Sequence, residues 1–413
     1  DGVALDDSGG VELVGSFEQG TIDLGSGPLT TDTRSLFAAR FDAAGALVWA
    51  LTLANLDPTS ARPVRAAFAP DGSIGLVGRV TVATNIDASS SLEAGGFVFV
   101  LGPDGAVSWS RSLGDAGDGV DPAALAFLAS GEVVVVGSAT AGAEAFVAPS
   151  TTPAWIGGGD VAVLRYDDRG DVESMIALGT DADDMAVDVL PEPDGSITVA
   201  AVASPQGMDV CAAATVLVDR IDADGATVWQ QALTPFDAAD LEGGLPGVPA
   251  IALARDAEGD VVASISLSGY VDVGASPLGT QGLLVSFDPL GAERWRRGLH
   301  RALFGRVAFD AQDHLVASGW YWDPQDFGVG ALPPSSSSIG DALLLKLDDD
   351  GHALTSLGLP SNDSNQAAMP FAIAPDDGLL LGGSISGDFT VGAVTVHRPS
   401  GSQEALYTLA TSP

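Results

Sequence analysis

Five arginines fall within 15 residues of an otherwise acidic chain: Arg294, Arg296, Arg297, Arg301 and Arg306 in "AERWRRGLHRALFGR". Just after them comes "GWYWDPQDF", with Trp320, Tyr321, Trp322 and Phe327. Guanidinium and aromatic side chains are enriched at binding hot spots, and aromatic faces stack on sugar rings. Arg294, Arg296, Arg297, Arg301, Trp320, Tyr321 and Trp322 therefore form a candidate partner site. A local reading stands beside it: the arginines pair with nearby carboxylates, as surface ion pairs commonly do, and the aromatics cover a sheet edge.

A second group of residues has the chemistry of a hard-cation site. "DADG" (222–225), "DDDG" (348–351) and "DDRGD" (167–171) cluster carboxylates in turns, and calcium prefers such oxygens. The candidate ligands are Asp222, Asp224, Asp348 and Asp350. None of these runs completes an EF-hand-like loop, and a solvated turn explains Asp there equally, because Asp favours turns in any case.

Other chemistry is absent from the pattern. The chain has no G-x-S-x-G, H-E-x-x-H, P-loop or dinucleotide fingerprint. His300, His314, His352 and His397 are scattered without metal-ligand spacing. Cys211 is the only cysteine, which excludes an intrachain disulfide and a Cys-based zinc site. It stands in "MDVC" where "IDLG" and "VDVG" carry Gly, and reads as a small buried residue with no visible activating base.

The charge sets further bounds. With 55 acidic and 17 basic residues the formal charge is -38, and Lys346 is the only lysine. Such a surface repels phosphate backbones, so nucleic acid is not expected as a partner. Self-repulsion favours solubility, and adaptation to high salt would fit as well. No apolar run approaches the roughly 20 residues of a membrane helix. Residue 1 already lies inside a strand-like pattern, which points to sequence upstream of it.

What positions these residues is a repeat. Six copies align on the glycines Gly45, Gly105, Gly170, Gly225, Gly291 and Gly351, as in "FDAAGALVW" (41–49) and "FDPLGAERW" (287–295). Four residues before the glycine the side chain is apolar: Phe41, Leu101, Tyr166, Ile221, Phe287, Leu347. Three before it is Asp in five of the six, and four after it is Trp in four: Trp49, Trp109, Trp229 and Trp295. Asp opens a type I turn by accepting backbone N–H bonds, and Gly closes it where φ is positive. The flanks of Val, Leu, Phe and Trp read as strands, so each copy is a β-hairpin. A second hairpin precedes each copy, as in "AAFAPDGSIGLVGRV" (66–80), and a seventh stands at 371–385, with a variable loop between the two hairpins of a unit.

Four strands per unit, recurring every 50 to 66 residues, predict an all-β, seven-bladed β-propeller with four-stranded antiparallel blades. The expected blades are about 1–56, 57–116, 117–181, 182–240, 241–300, 301–362 and 363–413, in one domain. The last lacks a fourth strand after "EALYTLAT" (404–411). An open edge would expose unpaired backbone, so a strand from upstream of Asp1 is expected to complete it.

The unit "GSFEQGTIDLGSGPLT…LFAARFDAAGALVWALTL" resembles the SBBP-type bacterial β-propeller repeat of secreted proteins and lipoproteins. The resemblance covers essentially the whole chain and implies an envelope or extracellular location, including an outer-membrane lipoprotein. It implies no catalytic residues. "FDAAGALVW" is also similar to the tryptophan-docking repeat of quinoprotein-like propellers. That repeat carries Thr before the turn Gly, where this chain has Ala44, Asp104, Arg169, Asp224, Leu290 and Asp350. The departure counts against a quinone cofactor. In the Asp box of sialidase-type propellers the aromatic stands one position closer to the Gly.

The expectation is thus a non-enzymatic binding or scaffolding module, acidic and monomeric, with a protein or glycan partner at the cell envelope and no cofactor unless calcium. The alternative is a propeller enzyme, a hydrolase, lyase or quinoprotein-like oxidoreductase, with its site in the central channel. A third reading is a structural spacer within a larger surface protein.

Overall fold

The computed structural model describes residues 2–6, 8–17, 20–25, 27–32, 35–53, 64–86, 91–115, 118–147, 153–204, 215–233, 250–271, 280–322, 325–334, 340–359, 371–374, 378–385, 389–391, 394–396 and 405–411. Cys211 and His397 lie outside them. The fold is an all-β propeller in which each blade is an antiparallel meander. The chain divides into two compact units, Asp1–Met208 with Val216–Ala232, and Asp209–Thr215 with Leu233–Pro413.

The first unit holds four blades. Blade 1 is Gly2–Leu5, Val11–Phe17, Ser35–Phe41 and Leu47–Leu53. Blade 2 is Arg65–Phe68, Ile74–Val80, Gly95–Leu101 and Val107–Ser112. Blade 3 is Val120–Phe127, Val133–Ala139, Asp160–Tyr166 and Val172–Leu178. Blade 4 is Asp183–Pro191, Ile197–Ser204, Thr215–Ile221 and Thr227–Leu233.

In the second unit, blade 5 is Ala250–Arg255, Val261–Val271, Thr280–Phe287 and Glu293–His300. Blade 6 is Ala302–Phe309, Leu315–Tyr321, Asp341–Leu347 and Ala353–Leu359. A further sheet has three strands, Phe371–Ile373, Leu379–Ile385 and Ala405–Thr411. The described residues thus form six four-stranded blades and one three-stranded sheet, where the repeat predicted seven blades, the last of them without its fourth strand.

Inner strands are predominantly apolar because both faces of a blade are covered. Val133 and Val135 pack with Val77, Val98 and Val100 of blade 2. Val134 and Val136 pack with Val189, Ile197 and Val199 of blade 4. Alternation along one strand therefore serves two neighbours, and a continuous apolar run results. Blades 5 and 6 share a similar layer of Val262, Leu284, Leu315, Leu345 and Tyr321. Fourth strands have one neighbour fewer and stay half exposed, as Leu47–Leu53 does.

In a meander the first–second and third–fourth turns share one end of the sheet; the second–third loops lie at the other. We call these the turn edge and the loop edge. At the turn edge, a bulge recurs at the end of the third strand: Arg40/Phe41, Val100/Leu101, Arg165/Tyr166, Ser286/Phe287 and Lys346/Leu347. A bulge re-aims the side chain beside it.

Candidate functional site

The turn edge consumes its own chemistry. Asp222 Oδ1 accepts the N–H groups of Asp224 and Ala226 at 3.0 and 2.8 Å. Asp348 Oδ1 accepts those of Asp350 and His352 at 3.1 and 2.7 Å, and His352 Nδ1 stands 3.4 Å from its second oxygen. Asp224 and Asp350 are exposed at the turn tips. One oxygen of each candidate calcium ligand Asp222 and Asp348 is thus already engaged by the turn. Among the described residues, no group of three or more His, Cys, Asp or Glu is placed to hold a metal ion.

A basic residue five positions before the turn glycine follows a rule that the sequence reading missed. Arg40, Arg165, Arg220 and Lys346 occupy it in four of the six copies. Arg40 contacts Asp6 at 2.5 Å and Glu12 at 3.3 Å, and donates to the Pro103 carbonyl at 2.9 Å in blade 2. Arg165 donates to the Gly195 carbonyl of blade 4 at 2.9 Å. Arg220 reaches Asp194 at 3.3 Å and Glu192 at 3.7 Å, and Lys346 holds Asp310 at 2.6 Å. In copy five the position is Ser286, and Arg294 on the next strand pairs with Asp260 instead.

Glu12 is fully buried, and burial followed by the charge of Asp6 pushes its carboxyl up to about 7. Burial also acts upward on Asp6, but bonds from Ser8, Gly10 and Arg40 overcome it and hold this carboxyl well below the usual range. Blade 4 shows why a proton sits well on Glu12. Three residues after the turn glycine, where Glu12 follows Gly9, Thr198 follows Gly195 and donates its hydroxyl to Glu192 at 2.9 Å. A protonated Glu12 supplies the same donor to Asp6.

The blade 5–6 candidates are dispersed. Arg294 is engaged with Asp260, and Arg296 with Glu293, its Nε donating at 2.7 Å. Arg297 donates to the Gly351 and Phe327 carbonyls at 2.8 and 2.9 Å and lies over the Phe327 ring. Burial lowers the Arg297 pKa, with Asp348 acting in the opposite sense. Arg301 has φ +48 in the link between blades 5 and 6, and its carbonyl accepts the Trp322 N–H at 3.1 Å. Tyr321 is fully buried, its hydroxyl donating to the Pro333 carbonyl at 3.0 Å. Trp320 and Trp322 are half-buried. The segment therefore offers no contiguous face of all seven side chains: Tyr321 belongs to the core of blade 6.

The loop edge is different in kind. The second–third loop of blade 3 carries a one-turn helix, Glu144–Val147, and Trp155 Nε1 donates to Glu144 at 3.0 Å. Phe146 and Ile156, beside these two residues, are 41% and 55% exposed. At the foot of the loop Asp160 accepts the N–H groups of Ile156 and Gly157 at 2.8 and 3.2 Å. On the adjoining link into blade 4, Asp184 accepts the Thr180 N–H at 2.7 Å. Both carboxylates are buried around Gly179, where any Cβ would run into the two together. Burial, then the charges of Asp160 and Asp183, raise the Asp184 pKa against the Thr180 bonds. Asp219 is pushed up to about 6, chiefly by burial. No signal in the repeat marked this region, because the loop lies outside the aligned hairpins.

No family model matches the chain, and no curated protein sequence matches it. Among solved structures the chain is similar to the Pan2 WD40 domain of Neurospora crassa, at 12% identity and TM-score 0.48, over 92% of this chain and 84% of that one. It is similar to a puromycin hydrolase at 15% identity and TM-score 0.49, over 94% of this chain and 50% of the hydrolase. A Xanthomonas campestris gluconolactonase aligns at 14% identity and TM-score 0.39, over 92% and 94%. None is near enough in sequence or in shape to bear on activity.

Proposed function

We propose that this chain is a binding or scaffolding module of the bacterial cell envelope or exterior, of the SBBP repeat type. On this reading it is a single seven-bladed propeller whose three-stranded sheet is the seventh blade. Its partner is a protein or glycan, met at the loop edge of blade 3. The observation that carries this is the exposure of Phe146 and Ile156 beside the Trp155–Glu144 hydrogen bond. Rigid strands presenting ordered loops are a common basis for recognition.

Phe146→Ser/Ile156→Ser is the test. An envelope component retained by the intact chain and lost by this variant, at unchanged melting temperature, supports the module. Equal retention by Trp320→Ala/Trp322→Ala and by the wild type places the site away from blade 6. Retention by the wild type and both variants alike sinks the blade 3 assignment.

The enzyme reading has one observation on its side, the neighbouring carboxylates Asp160 and Asp184, of which one has a raised pKa. Paired carboxylates suit acid–base work. Both are nearly inaccessible and bonded to loop N–H groups, which fits loop clamping better.

A further inference from the structure

The loop edge of blades 3 and 4 carries acid without base. Residues 112–219 hold two basic side chains, Arg165 and Arg169, and no histidine. Arg165 donates to the Gly195 carbonyl, and Arg169 stands in the turn that Asp167 opens, so both serve the turn edge. Carboxylates at that edge are met by cations: Asp6 and Glu12 by Arg40, Glu192 and Asp194 by Arg220. The loop edge holds Glu144, Asp160, Asp181, Asp183 and Asp184, and among the described residues none of the five pairs with Arg, Lys or His.

These carboxylates gather beside an exposed apolar residue. Asp160 accepts the Ile156 N–H at 2.8 Å. A Cβ on the next residue, Gly157, would stand 2.3 Å from the Ala182 carbonyl oxygen and 2.7 Å from that of Thr180. Ile156 is thus followed directly by a contact with the link that carries Asp181. A Cβ on Gly158 would stand 2.6 Å from Asp183 Oδ1. Asp181 is exposed and Asp183 half-buried, so both reach solvent next to Ile156. Behind them Asp160 and Asp184 are buried around Gly179, where salt screens charge less. Low-dielectric walls of one sign focus the field on what approaches.

We propose that this edge docks a cationic polypeptide segment. An Arg or Lys side chain lies beside Asp181 and Asp183, and an apolar neighbour of that residue covers Ile156 and Phe146. The inference rests on the blade 3 reading above and narrows its partner to a basic protein. Charge makes the selection. Anionic polymers and headgroups are repelled, as is a second copy of a chain with formal charge -38. A neutral glycan leaves the carboxylates without a counter-charge. Apolar contact supplies affinity, and the unmatched carboxylates supply steering and orientation.

The test pans phage-displayed random dodecapeptides on the immobilised chain, in parallel with Phe146→Ser/Ile156→Ser and Asp181→Asn/Asp183→Asn. Peptides enriched on the wild type and lost on both variants are expected, and they should join Arg or Lys to an apolar residue. A synthetic copy of the most enriched one, followed by fluorescence anisotropy, should bind Asp181→Asn/Asp183→Asn at least tenfold more weakly. It should weaken comparably when salt rises from about 50 to about 500 mM. Asp168→Asn/Asp224→Asn makes the same charge change at exposed turn tips and should leave binding within twofold. Equal weakening there means diffuse attraction to an acidic chain and overturns the proposal. If Asp183→Asn lowers the melting temperature, Asp181→Asn alone carries the charge test. Peptides that need Phe146 and Ile156 but carry no cation overturn the proposal and leave the blade 3 reading standing. If no peptide needs Phe146 and Ile156, the proposal falls. The blade 3 reading then survives only where Phe146→Ser/Ile156→Ser still loses an envelope component, as a glycan partner would give.

Discussion

The indole of Trp295 in blade 5 lies across Gly351 in blade 6, so close that a Cβ on Gly351 would stand 2.8 Å from its Cδ2 atom. The same indole donates to the Asp349 carbonyl at 2.8 Å. Gly351 has φ +78, so the position selects glycine twice over, for backbone conformation and for room.

Gly351→Ala therefore meets two costs. The left-handed backbone costs about 1–2 kcal/mol, and overpacking against the indole adds about 1–3 kcal/mol. Gly131→Ala, with φ +92 and nothing near its Cβ, meets the first alone. Denaturant midpoints should rank wild type, Gly131→Ala, Gly351→Ala. In Trp295→Ala/Gly351→Ala the packing part should vanish, so the double variant is less destabilised than the sum of the singles.

Glu12 makes stability pH-dependent with a definite sign. Its folded pKa of about 7 lies above the ordinary 4.5, so its contribution is fully present below about 4.5 and is lost as pH rises through about 7. Asp219, raised to about 6, acts in the same direction from its ordinary 3.8 upward. Glu12→Gln should flatten the loss of stability between pH 4.5 and 8 by a few kcal/mol, on the order set by one proton's linkage. An unchanged slope in urea titrations of the variant would refute a protonated Glu12.

Lys346 stands where three other copies place Arg, and its ammonium is 2.6 Å from the buried carboxylate of Asp310. Lys346→Met leaves that carboxylate with backbone donors and His314 only, and should cost about 1–3 kcal/mol after allowance for partial exposure. Lys346→Arg should be near neutral, because Arg40, Arg165 and Arg220 serve the same register. Thermal melts of the pair check both statements.

Calcium can be tested directly. If Asp222 and Asp348 serve the turn alone, chelation leaves the melting temperature unchanged, and Asp348→Asn costs no more than a lost turn acceptor, about 1 kcal/mol. A rise in melting temperature on adding millimolar calcium, abolished by Asp348→Asn, would establish a cation site there.

The hairpins, their turns and the apolar inner strands were legible because each is a local or periodic property. Asp42, Asp167, Asp222, Asp288 and Asp348 accept the turn N–H groups as their positions implied. The role of Arg40, Arg165, Arg220 and Lys346 was present in the spacing but went unread, since its meaning depends on carboxylates some 30 residues away in the same blade. The structure divides the arginine-aromatic segment. Side chains adjacent in sequence part company along a strand, so Tyr321 enters the core while Trp320 and Trp322 do not.

Sequence by itself determined the repeat, the strand order within each blade, and the turn at which each glycine sits, because these follow from period-two patterning and turn stereochemistry over a few residues. Tertiary structure decided what covers each glycine, where each charge is neutralised and which loop keeps apolar side chains in solvent. Those depend on contacts 50 to 60 residues apart, such as Trp49 on Gly105 and Trp295 on Gly351, that no local pattern encodes. The turn at Gly45, with no described atom within 4 Å of where its Cβ would stand, shows the division most plainly. Its residues read like those of every other copy, and only the packing distinguishes it.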